Sequence, residues 1–338
     1  MSDGSKIEWT DATWNPITGC SVVSAGCKHC YAMRLAGTRL RHHPSRAELT
    51  RETSAGPVWT GEVRLNEQWL DQPLHWRRPR RIFVCAHGDL FHPAVPDEWI
   101  DRVFATMALA PQHTFQVLTK RPERMRAWVR NGRSLQVVLQ HWKNSRVGQN
   151  TWPLPNVWLG VSVEDQAAAD ERIPVLLDTP AAVRFISAEP LLGVVNLRWL
   201  GSGLGSHDAL IDDHHGLPRL DWVIAGGESG PGARPSHPDW FRALRDQCQA
   251  AGVPYFFKQW GEWAPTPAWT ILDPACAGEL VGKTTLSGHH PGERSYIAMP
   301  NQIDTKVGRV DTLYRVGKRA AGRLLDGREW NDLPVGAP

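Results

Sequence analysis

Three cysteines stand close together near the start of the chain, in the stretch TGCSVVSAGCKHCYA. Cys20, Cys27 and Cys30 have the spacing C-x6-C-x2-C, and they are half of the six cysteines in the sequence. A structural zinc site usually takes four protein ligands, and a disulfide takes two cysteines. Three thiolates therefore favour a metal centre that keeps one coordination position open.

A 4Fe–4S cluster held by these three cysteines would have one iron atom without a protein ligand. That iron can bind S-adenosylmethionine, whose one-electron reduction supplies a 5′-deoxyadenosyl radical. A zinc site completed by His29, His42 or His43 is the alternative, although no second pair of closely spaced ligands follows. Cysteines without any metal are the third interpretation. The sequence favours the cluster and leaves the other two open.

Composition indicates one globular domain over residues 1–338, with 41% hydrophobic and 22% charged residues. No apolar run approaches the ~20 residues that span a bilayer, and the polar N-terminus lacks the pattern of a signal peptide. We therefore expect no membrane contact and a cytoplasmic location, where thiols stay reduced.

The net charge of +3 is too small for a dedicated nucleic-acid binder. Basic residues nevertheless cluster in residues 39–51, 77–81 and 314–323. These clusters are either phosphate-binding surfaces or solvent-exposed faces of ordinary elements.

Six short apolar runs alternate with helical segments, which is typical of strands buried on both faces of a parallel sheet. The runs cover residues 81–86, 114–119, 156–162, 182–187, 220–226 and 254–259. The segment TWNPITGC would add a seventh strand with Cys20 at its carboxyl end. We predict a single-domain α/β fold, a full or partial β/α barrel, with an open doubly wound sheet as the alternative.

Three segments interrupt this alternation and are predicted to be insertions, near residues 39–60, 201–219 and 266–300. The basic stretch 308–326 near the end of the chain is predicted to be a helix that closes the domain.

Polar residues follow the predicted strands, at the edge where a β/α barrel places its active site. Lys120, Lys258 and Glu189 are the candidate catalytic residues, because a lysine there can hold an anionic group or donate a proton. Ser162 and Glu164 are placed to bind a ribose or the carboxylate of methionine. Helix caps, surface charges or an ion pair between Lys120 and Glu189 are the structural alternatives.

The stretch AGGESG after the sixth run resembles the glycine-rich GGE element of radical S-adenosylmethionine enzymes, which there normally follows the second strand. We predict that Gly226, Gly227, Glu228 and Ser229 contact the cofactor or the substrate, since glycine permits close approach of the backbone.

An ordered set of motifs spans nearly the whole chain: NPITGCSVVSAGCKHCYA, GDLFH, LTKRPERM, LGVSVED, FISAEPLLG, WVIAGGESG, FFKQWG and AGRLLDGREWNDLP. Together they resemble the uncharacterised phage-associated family named after phage gene products thirty-seven and sixty-eight. The resemblance implies a radical-S-adenosylmethionine-like protein with a variant three-cysteine motif and an unsettled reaction. It favours DNA or RNA as substrate, and the chemistry requires a cellular electron donor of the flavodoxin or ferredoxin type. A non-catalytic nucleic-acid-interacting protein stabilised by zinc or a cluster is the alternative.

Overall fold

The fold was analysed in a computed structural model, which describes residues 4–131, 152–201, 207–212, 218–265, 296–300 and 310–334. Its centre is a sheet of seven strands, and every neighbouring pair of strands in it is parallel. In chain order these strands are β1 (Ala12–Trp14), β6 (Arg81–Val84), β7 (Thr114–Thr119), β8 (Val157–Ser162), β9 (Val183–Ala188), β10 (Trp222–Gly226) and β11 (Tyr255–Gln259).

The spatial order of these strands is the same as their order along the chain, and β1 and β11 form the two edges of the sheet. This is the arrangement of a β/α barrel that has not closed, so the prediction of a partial β/α barrel is confirmed. All seven predicted strands are present, with their ends shifted by a few residues. The first strand is the exception in detail, because it ends at Trp14 and Cys20 lies six residues further on.

Helices follow most of these strands and cover one face of the sheet. They are α1 (Tyr31–Gly37), α2 (Asp97–Leu109), α3 (Pro122–Arg130), α4 (Gln166–Leu177) and α5 (Pro238–Ala251). The start of α3 has proline in its first turn, and the start of α4 is capped by Asp165, whose carboxylate accepts from the Ala168 N–H at 2.9 Å. No helix in the described residues is long and apolar enough to span a membrane.

Smaller elements surround the barrel. A ribbon of β2 (Ile17–Thr18) with β5 (Arg64–Leu65) and a second of β3 (Thr50–Arg51) with β4 (Val58–Trp59) lie between the first two barrel strands. A three-stranded antiparallel sheet forms from β12 (Trp263–Pro265), β14 (Val310–Arg315) and β13 (Tyr296–Pro300). Single 3-10 turns cover Ala25–Cys27, Glu67–Trp69 and Gln72–His75.

The prediction of a basic helix over 308–326 is wrong. Residues 310–315 form the central strand of the antiparallel sheet, and the helix α6 covers only Lys318–Ala321. The predicted insertion near 39–60 contains the β3–β4 ribbon. Most of the predicted insertion near 266–300 and parts of the one near 201–219 lie outside the described residues.

Candidate functional site

The barrel strands alternate between a helix-facing and a concave side, as a pleated strand must. On the concave side the lower half is filled by aromatic rings, and these rings form one buried cluster. Its members are Trp9, Trp158, Phe185, Trp222 and Phe256. Gly160 lies opposite Phe185 of the neighbouring strand, and a Cβ atom at Gly160 would stand 2.6 Å from that ring. The aromatic layer therefore closes the amino-terminal end of the partial barrel.

Further along the same strands the inward residues become small or polar. A cavity of about 450 Å³ opens there, at the carboxyl ends of the strands. Ser187 and Lys258 stand on its walls two residues beyond Phe185 and Phe256, and Ser162 stands two residues beyond Gly160. This volume lies in the range of small-molecule binding sites.

The cysteine loop forms another wall of this cavity. Cys20, Cys27 and Cys30 all contribute to the lining, are half-buried, and are free thiols. Gly19 allows the turn into the loop with φ of +96°, and a Cβ atom there would collide with the backbone carbonyl of Glu62. Cys30 lies directly before the first residue of α1.

Two thiols of the loop, those of Cys20 and Cys30, have raised pKa values. Burial raises the pKa of Cys20 to about 12, with the carboxylate of Asp89 acting in the same direction and the guanidinium of Arg121 against it. Burial also raises the pKa of Cys30, partly offset by backbone N–H groups at the start of α1. Both cysteines are therefore thiols at neutral pH until a metal or a cluster displaces the proton.

No three His, Cys, Asp or Glu side chains converge as ligands of one metal ion anywhere in the described residues. A zinc site needs such convergence on a single point. A 4Fe–4S cluster binds each thiolate on a different iron atom, so it needs three thiols that face one space. Three free thiols on one cavity wall match that requirement. The donor set fits an iron–sulfur cluster, and among the predicted zinc histidines only His29 lines the cavity.

An ion-pair network lies directly beneath the cysteine loop. Lys120 donates from Nζ to Glu164 Oε2 at 2.7 Å, and Arg172 donates from Nη1 to the same oxygen at 3.0 Å. The side chains of Glu164 and Arg172 are 1% and 2% exposed. Burial raises the pKa of Glu164, but the two cations outweigh it and lower the pKa to about 2. Gly26 of the cysteine loop packs on this network, since its Cβ would stand 3.1 Å from Lys120 Nζ.

A second network fixes the beginning of the loop. Arg121 donates from Nη1 to Asp89 at 2.7 Å and from Nη2 to the hydroxyl of Ser21 at 2.8 Å. The same guanidinium lies 3.6 Å from the sulfur of Cys20. Asp89 also accepts from the hydroxyl of Thr119 at 2.8 Å. The ends of β6 and β7 thus hold the first cysteine in place.

A third ion pair stands on the opposite side of the cavity. Lys258 donates from Nζ to both oxygens of Glu189, at 2.7 and 2.9 Å, and Gln259 donates to one of them at 3.3 Å. Glu189 follows β9 and Lys258 belongs to β11, so their contact crosses the end of β10. Gly226, at the end of β10, lies beside this ion pair, where a Cβ would stand 3.4 Å from the carboxyl carbon of Glu189. The structural alternative of an ion pair between Lys120 and Glu189 named the wrong partners, since Lys120 pairs with Glu164 and Glu189 with Lys258.

In the glycine-rich element after β10, the backbone also packs closely against a neighbouring segment. Gly227 lines the cavity and lies against the carbonyl of Trp260, with no room for a side chain. Glu228 accepts from Arg234 at 2.6 and 2.9 Å, which fixes its carboxylate. Ser229 completes the lining on this side.

The structure brings ten of the twelve predicted site residues to the cavity wall. These are Cys20, Cys27, Cys30, Lys120, Ser162, Glu189, Gly227, Glu228, Ser229 and Lys258. Glu164 and Gly226 stand behind the wall, where they support Lys120 and Glu189. Sequence reasoning missed Arg172, the second partner of Glu164, although an arginine among the buried residues of α4 is itself a signal of a buried ion pair. It also missed Trp59, which the β3–β4 ribbon contributes to the cavity.

Comparison with known proteins identifies the family. Residues 4–334 match the model of the family described as "Protein of unknown function (DUF5131)". The chain belongs to this family. No curated protein matches the sequence. Two solved structures of spore photoproduct lyase mutants are similar at a low level. One, with bound AdoMet and dinucleoside spore photoproduct, has 10% identity and a TM-score of 0.36, covering 90% of this chain and 68% of that chain. The other has 12% identity and a TM-score of 0.37, covering 94% and 71%.

Proposed function

We propose that this DUF5131 protein is an iron–sulfur enzyme of the radical S-adenosylmethionine type, which modifies or repairs a substrate that is favoured to be a nucleic acid. One observation supports this most directly. Three free cysteines on one loop line a single cavity at the carboxyl ends of a parallel, partial β/α barrel. A reactive radical needs such a site, because the walls keep water away from it.

In this proposal Cys20, Cys27 and Cys30 hold a 4Fe–4S cluster through their thiolates. The cluster supplies one-electron reduction of a bound sulfonium, S-adenosylmethionine. An electron donor of the flavodoxin or ferredoxin type remains part of the prediction, as does the resemblance to the phage gene-product family.

The chain's own residues have distinct tasks. Arg121 orients the loop at Cys20, and an N–H group directed at a ligating sulfur is one of the factors that set a cluster's potential. Gly227 allows backbone groups to approach a bound ligand closely. Ser162 and Ser187 offer hydroxyls on the wall for polar groups of the ligand. Lys258, held by Glu189, is the candidate proton donor to a product, because its ammonium faces the cavity.

The test is anaerobic reconstitution with iron and sulfide, followed by counting both elements per chain. We expect about four irons in the wild type. Replacing Cys20, Cys27 or Cys30 with alanine should each abolish cluster binding, while Cys85→Ala should retain it. Cys85 is the matched control because it lines the same cavity but lies outside the loop.

Dithionite and S-adenosylmethionine are then added, and 5′-deoxyadenosine is measured by chromatography. Its formation by the wild type and its loss in the loop variants would support the proposal. A protein that retains zinc and no iron would instead support the non-catalytic alternative. Full iron content in all three loop variants would show that the ligands are assigned incorrectly.

A further inference from the structure

The segment that contains the cysteines has an unusual charge. Between Asp11 and Glu48 the sequence has no Asp or Glu over 36 residues, although 35 acidic residues in 338 would place about four in such a length. The same segment contains five Lys and Arg residues and three His. The cations are Lys28, Arg34, Arg39, Arg41 and Arg46. We call residues 28–46 the cationic segment.

Three cations of the cavity wall are paired with carboxylates, whereas those of the cationic segment have no carboxylate partner among the described residues. Lys120, Arg121 and Lys258 each have a carboxylate partner at 2.7 Å. Within the described residues, no carboxylate lies within 4.0 Å of any cation of the cationic segment. The cationic segment therefore carries positive charge that no described carboxylate neutralises, and its residues 29–31 border the cavity.

Much of this charge is accessible. Lys28, Arg39 and Arg41 are exposed, as are the imidazoles of His42 and His43. Arg46 is buried against the ring of Trp69 at 5.8 Å and donates to His87 at 3.3 Å. A buried guanidinium without a carboxylate costs free energy, which an anion at the surface above it would offset.

The cationic segment leads directly into the cavity. His29, Cys30 and Tyr31 lie near the beginning of the segment, and all three line the cavity wall. Tyr31 is 42% exposed, and its hydroxyl donates to the carbonyl of Ala86 at 2.6 Å, so the ring is held at the mouth. A fixed, exposed aromatic ring beside positive charge is a stacking platform for a base.

We propose that the cationic segment binds the phosphate backbone of single-stranded nucleic acid and thereby presents one base to the cavity beside the cysteines. This deepens the proposed function and rests on it for what then happens to the base. Four of the five cations are arginines, whose guanidinium groups bind phosphate in a bidentate manner. A cavity of about 450 Å³ admits groups of nucleotide size and excludes a duplex. An acidic protein, such as an electron donor, is the competing occupant.

The experiment measures binding of a fluorescent 20-nucleotide oligothymidylate by anisotropy, at several salt concentrations, with the protein as purified. The test variant is R39Q/R41Q, which removes two exposed charges. The matched control is R77Q/R78Q, since these exposed arginines precede β6 and so lie at the opposite end of that strand. Each phosphate contact adds about 0.7 to the slope of log K against log salt for a single strand. We expect R39Q/R41Q to reduce the slope by about 1.4, and R77Q/R78Q to leave it unchanged.

Polyglutamate of matched charge serves as the competitor. If it displaces the oligonucleotide at equal charge concentration, the segment is a surface for acidic proteins and the inference is overturned. An unchanged slope in R39Q/R41Q would overturn it too. Iron content of the same variants separates the two proposals. A wild-type protein that binds iron but does not bind the oligonucleotide would contradict only this inference. A wild-type protein that binds the oligonucleotide in a salt-dependent manner but binds no iron would contradict only the proposed function.

Discussion

Glu164→Gln tests the buried network that supports the cysteine loop. Glutamine has nearly the same shape as glutamate but has no charge. Its introduction would leave Arg172 buried, with the carbonyl of Ser162 at 2.8 Å as its remaining strong acceptor. Lys120 would lose its only ion-pair partner among the described residues. The structure therefore predicts a large loss of stability at a site that is remote from the solvent.

The magnitude can be obtained in two ways. Removing one partner of a buried ion pair costs about 3–5 kcal/mol in the free energy of unfolding. Independently, a carboxyl whose pKa falls from 4.5 to about 2 on folding contributes about 3 kcal/mol at neutral pH. Since domains are stable by only ~5–15 kcal/mol, either figure is a substantial part of the total.

Urea denaturation at pH 7 measures this loss, with Glu171→Gln as the matched control. Glu171 is the exposed neighbour of Arg172 on α4, so its replacement should change stability by less than about 0.5 kcal/mol. A loss of less than about 1 kcal/mol in the free energy of unfolding of Glu164→Gln would refute the reasoning, because a buried guanidinium without a carboxylate partner should destabilise the fold by more than that.

The pH dependence provides a separate check. The folded state keeps this carboxyl ionised until the pH approaches 2, while the unfolded chain protonates it near 4.5. Its contribution is therefore complete above pH 4.5 and is lost as the pH falls towards 2. The wild type should lose about 3 kcal/mol more than Glu164→Gln between these two values. Parallel acid profiles for the two proteins would contradict this assignment.

Three further substitutions test the barrel interior and the loop anchor. Gly160→Ala should cost about 1–3 kcal/mol in urea denaturation, because its methyl group would meet the ring of Phe185; an unchanged midpoint would show that the ring can move. Trp9→Ala should cost about 3–5 kcal/mol, since Trp9 is 2% exposed and lies 4.8 Å from the ring of Phe83. Arg121→Gln should lower the melting temperature by leaving Asp89 buried without a cation, and an unchanged melting temperature would mean that the pair contributes little.

The sequence predicted the barrel strands because each is a continuous apolar run with a polar residue after it. Twelve site residues were predicted for one edge of the sheet, where the carboxyl ends of parallel strands meet, and ten of them line the cavity. Partners across the cavity were not predictable in the same way. The pairing of Glu189 with Lys258 joins residues 69 positions apart in the sequence, across the end of β10.

The incorrect C-terminal helix has a different cause. Residues 310–315 pair with β12 and β13, and the periodicity within a segment does not show which other strands it will pair with. Gly317 then takes a positive φ of 84°, which stops any helix from extending through this point. A short helix remains between Gly317 and Gly322, and it is too short to form the predicted basic face.

The proposed cluster site and the proposed nucleic-acid site differ in how their charges are paired. Lys120, Arg121 and Lys258 are each paired with a carboxylate and exert little field at long range, whereas the exposed cations of the cationic segment have no carboxylate partner among the described residues. In the two proposals, three thiolates with an iron–sulfur cluster would add negative charge beside that segment, and a bound phosphate backbone would add more. Screening weakens exposed charges over ~8 Å at physiological ionic strength but hardly affects buried partners. Salt should therefore release a polyanion from Arg39 and Arg41 while it leaves iron bound by the three cysteines, so the two sites can be separated in one protein by ionic strength alone.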